Sequence, residues 1–241
     1  MTRRLDLLVL ERGLAPSREK ARALIMAGEV LADERVMDKP GAMVPDDVTL
    51  RIVERPQFCS RGGIKLAHAL DELHIDVTAM VALDVGASTG GFTDCLLQRG
   101  ASRVYALDVG YGQLDYRLRS DPRVAVMERT NARYPFSLPE AVDLATIDCS
   151  FISLEKVVPT AAAWVKPGGG LLCLVKPQFQ AGRREVGRGG LVKDPQVHAL
   201  VLGRFISWAI GQGFRIAGLV PSAITGASGN REFFVLLRVA Q

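Results

Sequence analysis

Four charged residues far apart in the chain, Lys65, Asp148, Lys176 and Glu232, stand where side chains can meet over one cleft. Asp148 and Lys176 close apolar runs, Val142–Ile147 and Leu171–Val175, that read as buried parallel strands. Ligands of open α/β sheets sit outside such carboxyl ends. Glu232 opens the last strand, beside them once its hairpin folds back. Lys65 lies in the first turn of a helix, where the helix dipole disfavours a cation. Any one of the four reads most simply as surface charge or a structural ion pair; together they form an alternating array of cations and carboxylates. Such an array suits methylation of a ribose 2′-hydroxyl, a very weak acid that must lose its proton as the methyl arrives. A lysine takes that proton only as the free amine, which burial or a neighbouring cation favours. Lys176 is the expected base. Lys65, Asp148 and Glu232 would orient it and the hydroxyl, and alignment would supply the rest of the rate.

The methyl or hydride donor needs its own cradle, and the stretch from Val81 to Phe92 (VALDVGASTGGF) supplies one. An apolar run ends in Asp84, small residues follow, and a helical pattern begins at Phe92. Gly86 and Gly90 allow close backbone approach, and the new helix aims free N–H groups above the strand end. A second strand, Arg103–Leu107, ends in Asp108, where a carboxylate can accept hydrogen bonds from both hydroxyls of a ribose. The predicted cradle comprises Asp84, Gly86, Ser88, Thr89, Gly90, Gly91, Phe92 and Asp108, with Asn131 and Asp148 along its rim. Spacing does not separate a dinucleotide from S-adenosylmethionine. The missing second glycine of the dinucleotide fingerprint favours a ligand without a pyrophosphate.

Other chemistries fit less well. Amino methylation of a base favours a polar-Pro-Pro-aromatic stretch after the fourth strand, and the chain has Asp148-Cys149-Ser150-Phe151 there. Cys149 stands in position for a nucleophile but has no supporting second cysteine. His68, His74 and His198 lack metal-ligand spacing, so no metal is expected. The glycine-rich loop after Lys176 carries Arg183, Arg184 and Arg188, which suit phosphates and read as a substrate-gripping lid.

These residues require a doubly wound sheet to hold them. Apolar-periodic and apolar-run segments alternate from residue 60 onward: helices at Ser60–His74, Leu114–Ser120, Leu154–Val165 and Pro195–Gln212, further strands at Val124–Met127, Phe214–Val220 and Phe233–Val239. The final hairpin reads as an antiparallel edge. Ahead of this lies a smaller α+β module, with helices at Leu5–Glu11 and after the N-cap Ser17, and strands at Glu29–Ala32 and Val48–Val53. The expected division is residues 1–56, a linker over 57–64, and 65–241. Residues 1–56 hold ten basic and ten acidic side chains, so net charge gives no support for nucleic-acid binding. The clustering of Arg3, Arg4, Arg18, Lys20 and Arg22 does, against the alternative of a solvated face.

Composition sets broad limits. Charged residues at 23% and hydrophobic ones at 48% are ordinary for a globular protein with a substantial core. The net charge of +4 permits an RNA partner without demanding one. Four scattered cysteines form no disulfide framework, the charged start is a poor signal peptide, and no apolar run is long enough to span a bilayer. A cytoplasmic protein is expected.

The chain resembles the TlyA family of ribosomal-RNA 2′-O-methyltransferases, whose catalytic domain is of the FtsJ/RrmJ type. The likeness rests on Ser60-Arg61-Gly62-Gly63-Ile64-Lys65-Leu66, on Asp84 through Phe92 and on Gly229-Asn230-Arg231-Glu232-Phe233. Arg4-Leu5-Asp6, Gly13-Leu14, Ser17-Arg18 and Gly28-Glu29-Val30 are similar to the RNA-binding module of a ribosomal small-subunit protein. The resemblance implies a Rossmann-like class I methyltransferase sheet and S-adenosylmethionine as donor. It further implies 2′-O-methylation of cytidine in ribosomal RNA or ribosomal subunits, and the Lys65, Asp148, Lys176, Glu232 tetrad as catalytic. It also brings rivals: members are described as haemolysins, and an RNA-binding protein with an inactive methyltransferase fold is conceivable. No protein partner is evident.

Overall fold

The computed structural model describes residues 2–53, 56–180 and 186–240, and the chain divides into two compact units, 1–56 and 57–241. In the first unit Thr2–Arg4 (β1) leads into helix Leu5–Glu11 (α1), followed by Arg18–Met26 (α2), Val30–Ala32 (β2), Arg35–Met37 (β3), Met43–Pro45 (β4) and Leu50–Ile52 (β5). The Ser17 hydroxyl caps α2 by accepting from the Lys20 amide at 3.1 Å. Strand β2 is flanked by β3 and β5, while β1 pairs with β4. Leu5, Leu8, Val9, Ala21 and Ile25 from the two helices bury against Val30, Ala32, Val44 and Val48, a core of this unit's own residues. Strands β1, β3 and β4 were not expected; at three residues each they are too short to show alternation.

The second unit begins earlier than expected. Phe58 is buried in its core, and Arg61–Glu72 forms helix α3, so residues 58–64 are part of this fold instead of a linker. There follow Val81–Val85 (β6), Gly91–Gln98 (α4), Arg103–Leu107 (β7), Tyr116–Arg119 (α5), Val124–Met127 (β8), Val142–Ile147 (β9), Val158–Ala162 (α6), Val165–Val175 (β10), Pro177–Gln180 (α7), Pro195–Gly211 (α8), Arg215–Pro221 (β11) and Phe233–Arg238 (β12). Among the described residues the sheet order is β11-β12-β10-β9-β6-β7-β8. Strands β6 to β10 run parallel, and β12 is antiparallel to both neighbours.

Two elements differ from expectation. The last strand is antiparallel but is inserted between β10 and β11 instead of lying at the edge. That insertion brings Glu232 beside the end of β10, since Val175 pairs with Phe233. Pro159 does not sit inside a long helix: a 3-10 turn at Leu154–Lys156 comes first, and Pro159 stands at the start of α6, where its missing N–H costs nothing.

Side chains alternate across the sheet. Ala82, Val104, Ala106, Leu144, Leu172 and Phe234 bury towards α3 and α4, while Leu83, Val85, Leu107, Ile147, Cys173 and Val235 bury on the face covered by α6 and α8. Burial on both faces explains why these strands read as continuous apolar runs.

Candidate active site

The carboxyl ends of β6, β7, β9 and β10 and the start of β12 gather the charged residues singled out by sequence. Lys65 and Glu232, though 167 residues apart, form a buried ion pair with Nζ to Oε2 at 2.5 Å. Their side chains are 10% and 3% exposed. Lys176 forms the second pair: its ammonium contacts Asp148 Oδ1 and donates to Ser150 Oγ at 3.1 Å. The four therefore resolve into two lysine–carboxylate pairs on adjoining strand ends. Neutralisation in place lets both lysines stay buried, because an isolated buried cation would be costly.

Backbone geometry holds these pairs where they are. Gly226 lies against Glu232: a Cβ there would meet Glu232 Oε1 at 2.4 Å. The Gly226 amide donates to the Asn230 carbonyl at 2.9 Å, and the Ser222 amide to the Glu232 carbonyl at 2.8 Å. Asn230 is buried, and its side chain reaches a distant segment. Its Oδ1 accepts from the Val192 amide at 2.8 Å and its Nδ2 donates to the Gly190 carbonyl at 2.9 Å. His198 Nε2 meets the Val192 carbonyl at 2.8 Å. Neither Asn230 nor Gly226 was given a role from sequence.

Beside the Lys176 pair opens a cleft of about 530 Å³, within the range of nucleoside-sized ligand sites. Gly86, Ser88, Asp108, Asn131 and Asp148 line it, as do the unforeseen Gln113, Arg133, Ser150 and Phe151. Asp108 accepts from the amides of Ser88 at 2.8 Å and Gly110 at 2.7 Å, one on each oxygen. Each oxygen keeps a lone pair, so the carboxylate can still receive ribose hydroxyls. Gly86 has φ +87°, and a Cβ there would stand 2.4 Å from the Asp148 carbonyl oxygen. A glycine is thus demanded by the approach of β6 to β9, inside the protein.

Asp84, Thr89, Gly90, Gly91 and Phe92 do not line the cleft. Gly90 and Gly91 accommodate Leu118 and Ser60, which added Cβ atoms would meet at 2.3 and 2.1 Å. Phe92 is buried against Phe234, with ring centroids 6.0 Å apart. Thr89 offers its carbonyl to the Asp115 amide at 3.2 Å. Asp84 is fully buried and accepts from the hydroxyls of Thr93 at 2.7 Å and Thr146 at 3.2 Å. Burial, with a smaller contribution from the Asp148 charge, pushes its carboxyl up to about 7. These residues support the turn from beneath.

Cys149 also borders the cleft, but burial pushes its thiol up to about 12, which leaves it poorly suited to attack. Of the expected phosphate-gripping loop, Arg183 and Arg184 fall outside the described residues, and Arg188 stands in a 3-10 turn, Arg188–Gly190.

In the first unit, Arg3 is spent on the exposed Glu11 at 2.5 Å and Asp46 at 3.6 Å. Arg4 and Arg18 share the buried Asp6, each at 3.0 Å. Lys20 and Arg22 are exposed along α2.

Residues 58–239 match the FtsJ-like methyltransferase family and residues 3–49 match the S4 domain. The chain belongs to the FtsJ-like methyltransferases. Over 98% of its length it is 45% identical to the 16S/23S rRNA (cytidine-2′-O)-methyltransferase TlyA of Mycobacterium tuberculosis, 89% of which is covered. It is 38% identical to Hemolysin A of Brachyspira hyodysenteriae, over 95% of this chain and 97% of that one. A solved Streptococcus thermophilus protein described as a hemolysin superposes with a TM-score of 0.74 at 41% identity, covering 100% of this chain and 89% of its own. An S-adenosylmethionine dependent methyltransferase of Mesorhizobium loti shares the fold alone, with TM-score 0.54 at 18% identity over 71% and 96% of the two chains. This FtsJ-like methyltransferase therefore joins an S4 domain to a class I sheet, and its two lysine–carboxylate pairs stand at the carboxyl ends of the parallel strands and the start of β12.

Proposed function

We propose that the protein transfers a methyl group from S-adenosylmethionine to a ribose 2′-hydroxyl of ribosomal RNA, with cytidine as the target nucleoside. The observation that carries this reading is the pair of lysine–carboxylate contacts beside a nucleoside-sized cleft. The cleft residues fit the donor. Asp108 would hold its ribose hydroxyls, Asn131 and Gln113 border the same space, and Gly86 and Ser88 present backbone at the strand end. When bound, S-adenosylmethionine supplies a methyl group on a sulfonium, an electrophile that needs no metal or covalent enzyme intermediate.

Lys176 is the residue we assign to remove the hydroxyl proton, because both groups it touches, Asp148 and Ser150, line the cleft. Proton removal by a positioned base is worth about 10²–10⁴ in rate. Asp148 aims the free amine and stabilises the ammonium that forms on Lys176 when it takes the hydroxyl proton. The Lys65–Glu232 pair does not line the cleft, and its part is to fix the adjoining strand end. The S4 domain, with Arg4, Arg18, Lys20 and Arg22, is assigned to grip RNA, a reading supported by the ribosomal-RNA activity in the name of the Mycobacterium tuberculosis relative. The haemolysin names point to a second reading, but no helix among the described residues is long and apolar enough to cross a membrane.

The test is to map 2′-O-methyl groups in ribosomal RNA from cells with and without the protein, then restore them with purified protein and S-adenosylmethionine. A cytidine that gains the mark only when both are present supports the reading. An unchanged methylation map, or leakage of lipid vesicles without any donor, would oppose it.

A further inference from the structure

Asp6 is the one fully buried carboxylate of the first unit among its described residues, and it is surrounded by cations. Arg4 approaches it side-on, Nε donating to Oδ1 at 3.0 Å and Nη2 to Oδ2 at 3.1 Å. Arg18 Nε donates to the same Oδ2 at 3.0 Å, and its Nη2 stands 3.0 Å away. The carboxylate is 0% exposed while the two arginine side chains are 45% and 49% exposed. Its own backbone is pinned as well, since the Asp6 amide donates to the Pro40 carbonyl at 3.0 Å. The paired arginines hold its carboxyl below the usual aspartate range.

This arrangement is a poor way to gain stability. A buried carboxylate loses its hydration, and two guanidiniums converging on one oxygen repel each other. The geometry also leaves work undone: two positive charges face one negative charge, and each guanidinium keeps outward N–H donors in a fixed plane. Arg3 differs, because its partners Glu11 and Asp46 are themselves half exposed and free to reorganise.

We propose that Asp6 is a positioning residue that locks Arg4 and Arg18 into a single preformed fork for an RNA phosphate. This rests on the reading of the first unit as an RNA-binding module. An arginine held in place in advance loses less rotamer freedom when the phosphate arrives, and a planar guanidinium grips it through two parallel hydrogen bonds. Asp6 does not touch the RNA; it acts through the two arginines.

Positioning and simple electrostatics predict opposite signs for the loss of Asp6. Asp6→Asn removes a negative charge from an RNA-binding surface, which by charge alone tightens binding. The positioning role instead weakens it, by about fivefold or more at moderate salt, since a charged hydrogen-bonding partner is lost. The experiment measures filter binding of full-length protein to ribosomal RNA extracted from cells lacking it. Four forms are compared: the unaltered chain, Asp6→Asn, Arg4→Ala/Arg18→Ala, and the triple variant. With Asp6 in a positioning role, Asp6→Asn binds more weakly and adds nothing once both arginines are gone. Unchanged or tighter binding by Asp6→Asn overturns it. So does a further loss in the triple variant, which would mark a merely structural role. If Arg4→Ala/Arg18→Ala binds as well as the unaltered chain, the RNA-binding reading of this unit fails, and the inference with it.

Discussion

Lys176 and Asp84 show how differently two buried charged groups are used. The Lys176 side chain has a carboxylate and a hydroxyl beside it, both lining the cleft, which aim its nitrogen at that space. Asp84 is held by the hydroxyls of Thr93 and Thr146 and the Thr93 backbone amide, and its carboxyl is pushed up to about 7 by burial. Its folded value thus lies above that of an unfolded aspartate. The stability cost is absent below about pH 4, grows as pH rises, and is complete above about pH 7. Asp84→Asn, uncharged and of equal size, is expected to raise the melting temperature by a few degrees at pH 8 and by much less at pH 5. Equal gains at the two pH values would contradict the assignment. Sequence reading placed Asp84 in the cofactor cradle because it stands near a strand end. Side chains alternate along a strand, and a position one residue before the end points at α4 instead of the cleft. Asp108 lies beyond the last residue of β7, and it does reach the cleft.

Elements, not single residues, bring the two pairs together, and here the sequence was only partly legible. Strand ends, helix starts and the antiparallel return could be read from apolar runs and their punctuation. The insertion of β12 between β10 and β11 could not, because hydrogen-bonded order across a sheet leaves no mark in local pattern. The tie from Asn230 to Val192 and Gly190 was equally hidden, since its partners lie 38 and 40 residues away. Asn230→Ala leaves the buried Val192 amide unpaired, worth about 1–3 kcal/mol, and frees the exposed Gly190 carbonyl to water. The expected outcome is faster hydrogen exchange at residues 187–192 with unchanged protection in β6 and β7, read by mass spectrometry. Unaltered exchange there would show that the tie is unimportant. Gly86→Ala tests the strand end from the other side. With φ +87° and the Asp148 carbonyl 2.4 Å from the new Cβ, it is expected to cost about 2 kcal/mol or more and to weaken S-adenosylmethionine binding. Calorimetry showing full affinity would mean that the turn tolerates a side chain.

At the scale of the whole chain, each unit is built around its own core, with the Leu5 and Ile25 cluster holding the first and the two faces of the sheet holding the second. A fragment of residues 57–241 is therefore expected to bind S-adenosylmethionine like the full chain while losing at least about tenfold in ribosomal-RNA affinity. Loss of donor binding in that fragment would contradict the division of labour. The central claim concerns the amine of Lys176, and Lys176→Arg tests it most directly, because a guanidinium keeps the positive charge but cannot accept a proton. Methyl transfer from labelled S-adenosylmethionine to ribosomal RNA should fall by about 10²-fold or more in this variant, with donor affinity unchanged. Turnover close to that of the unaltered protein would contradict the account.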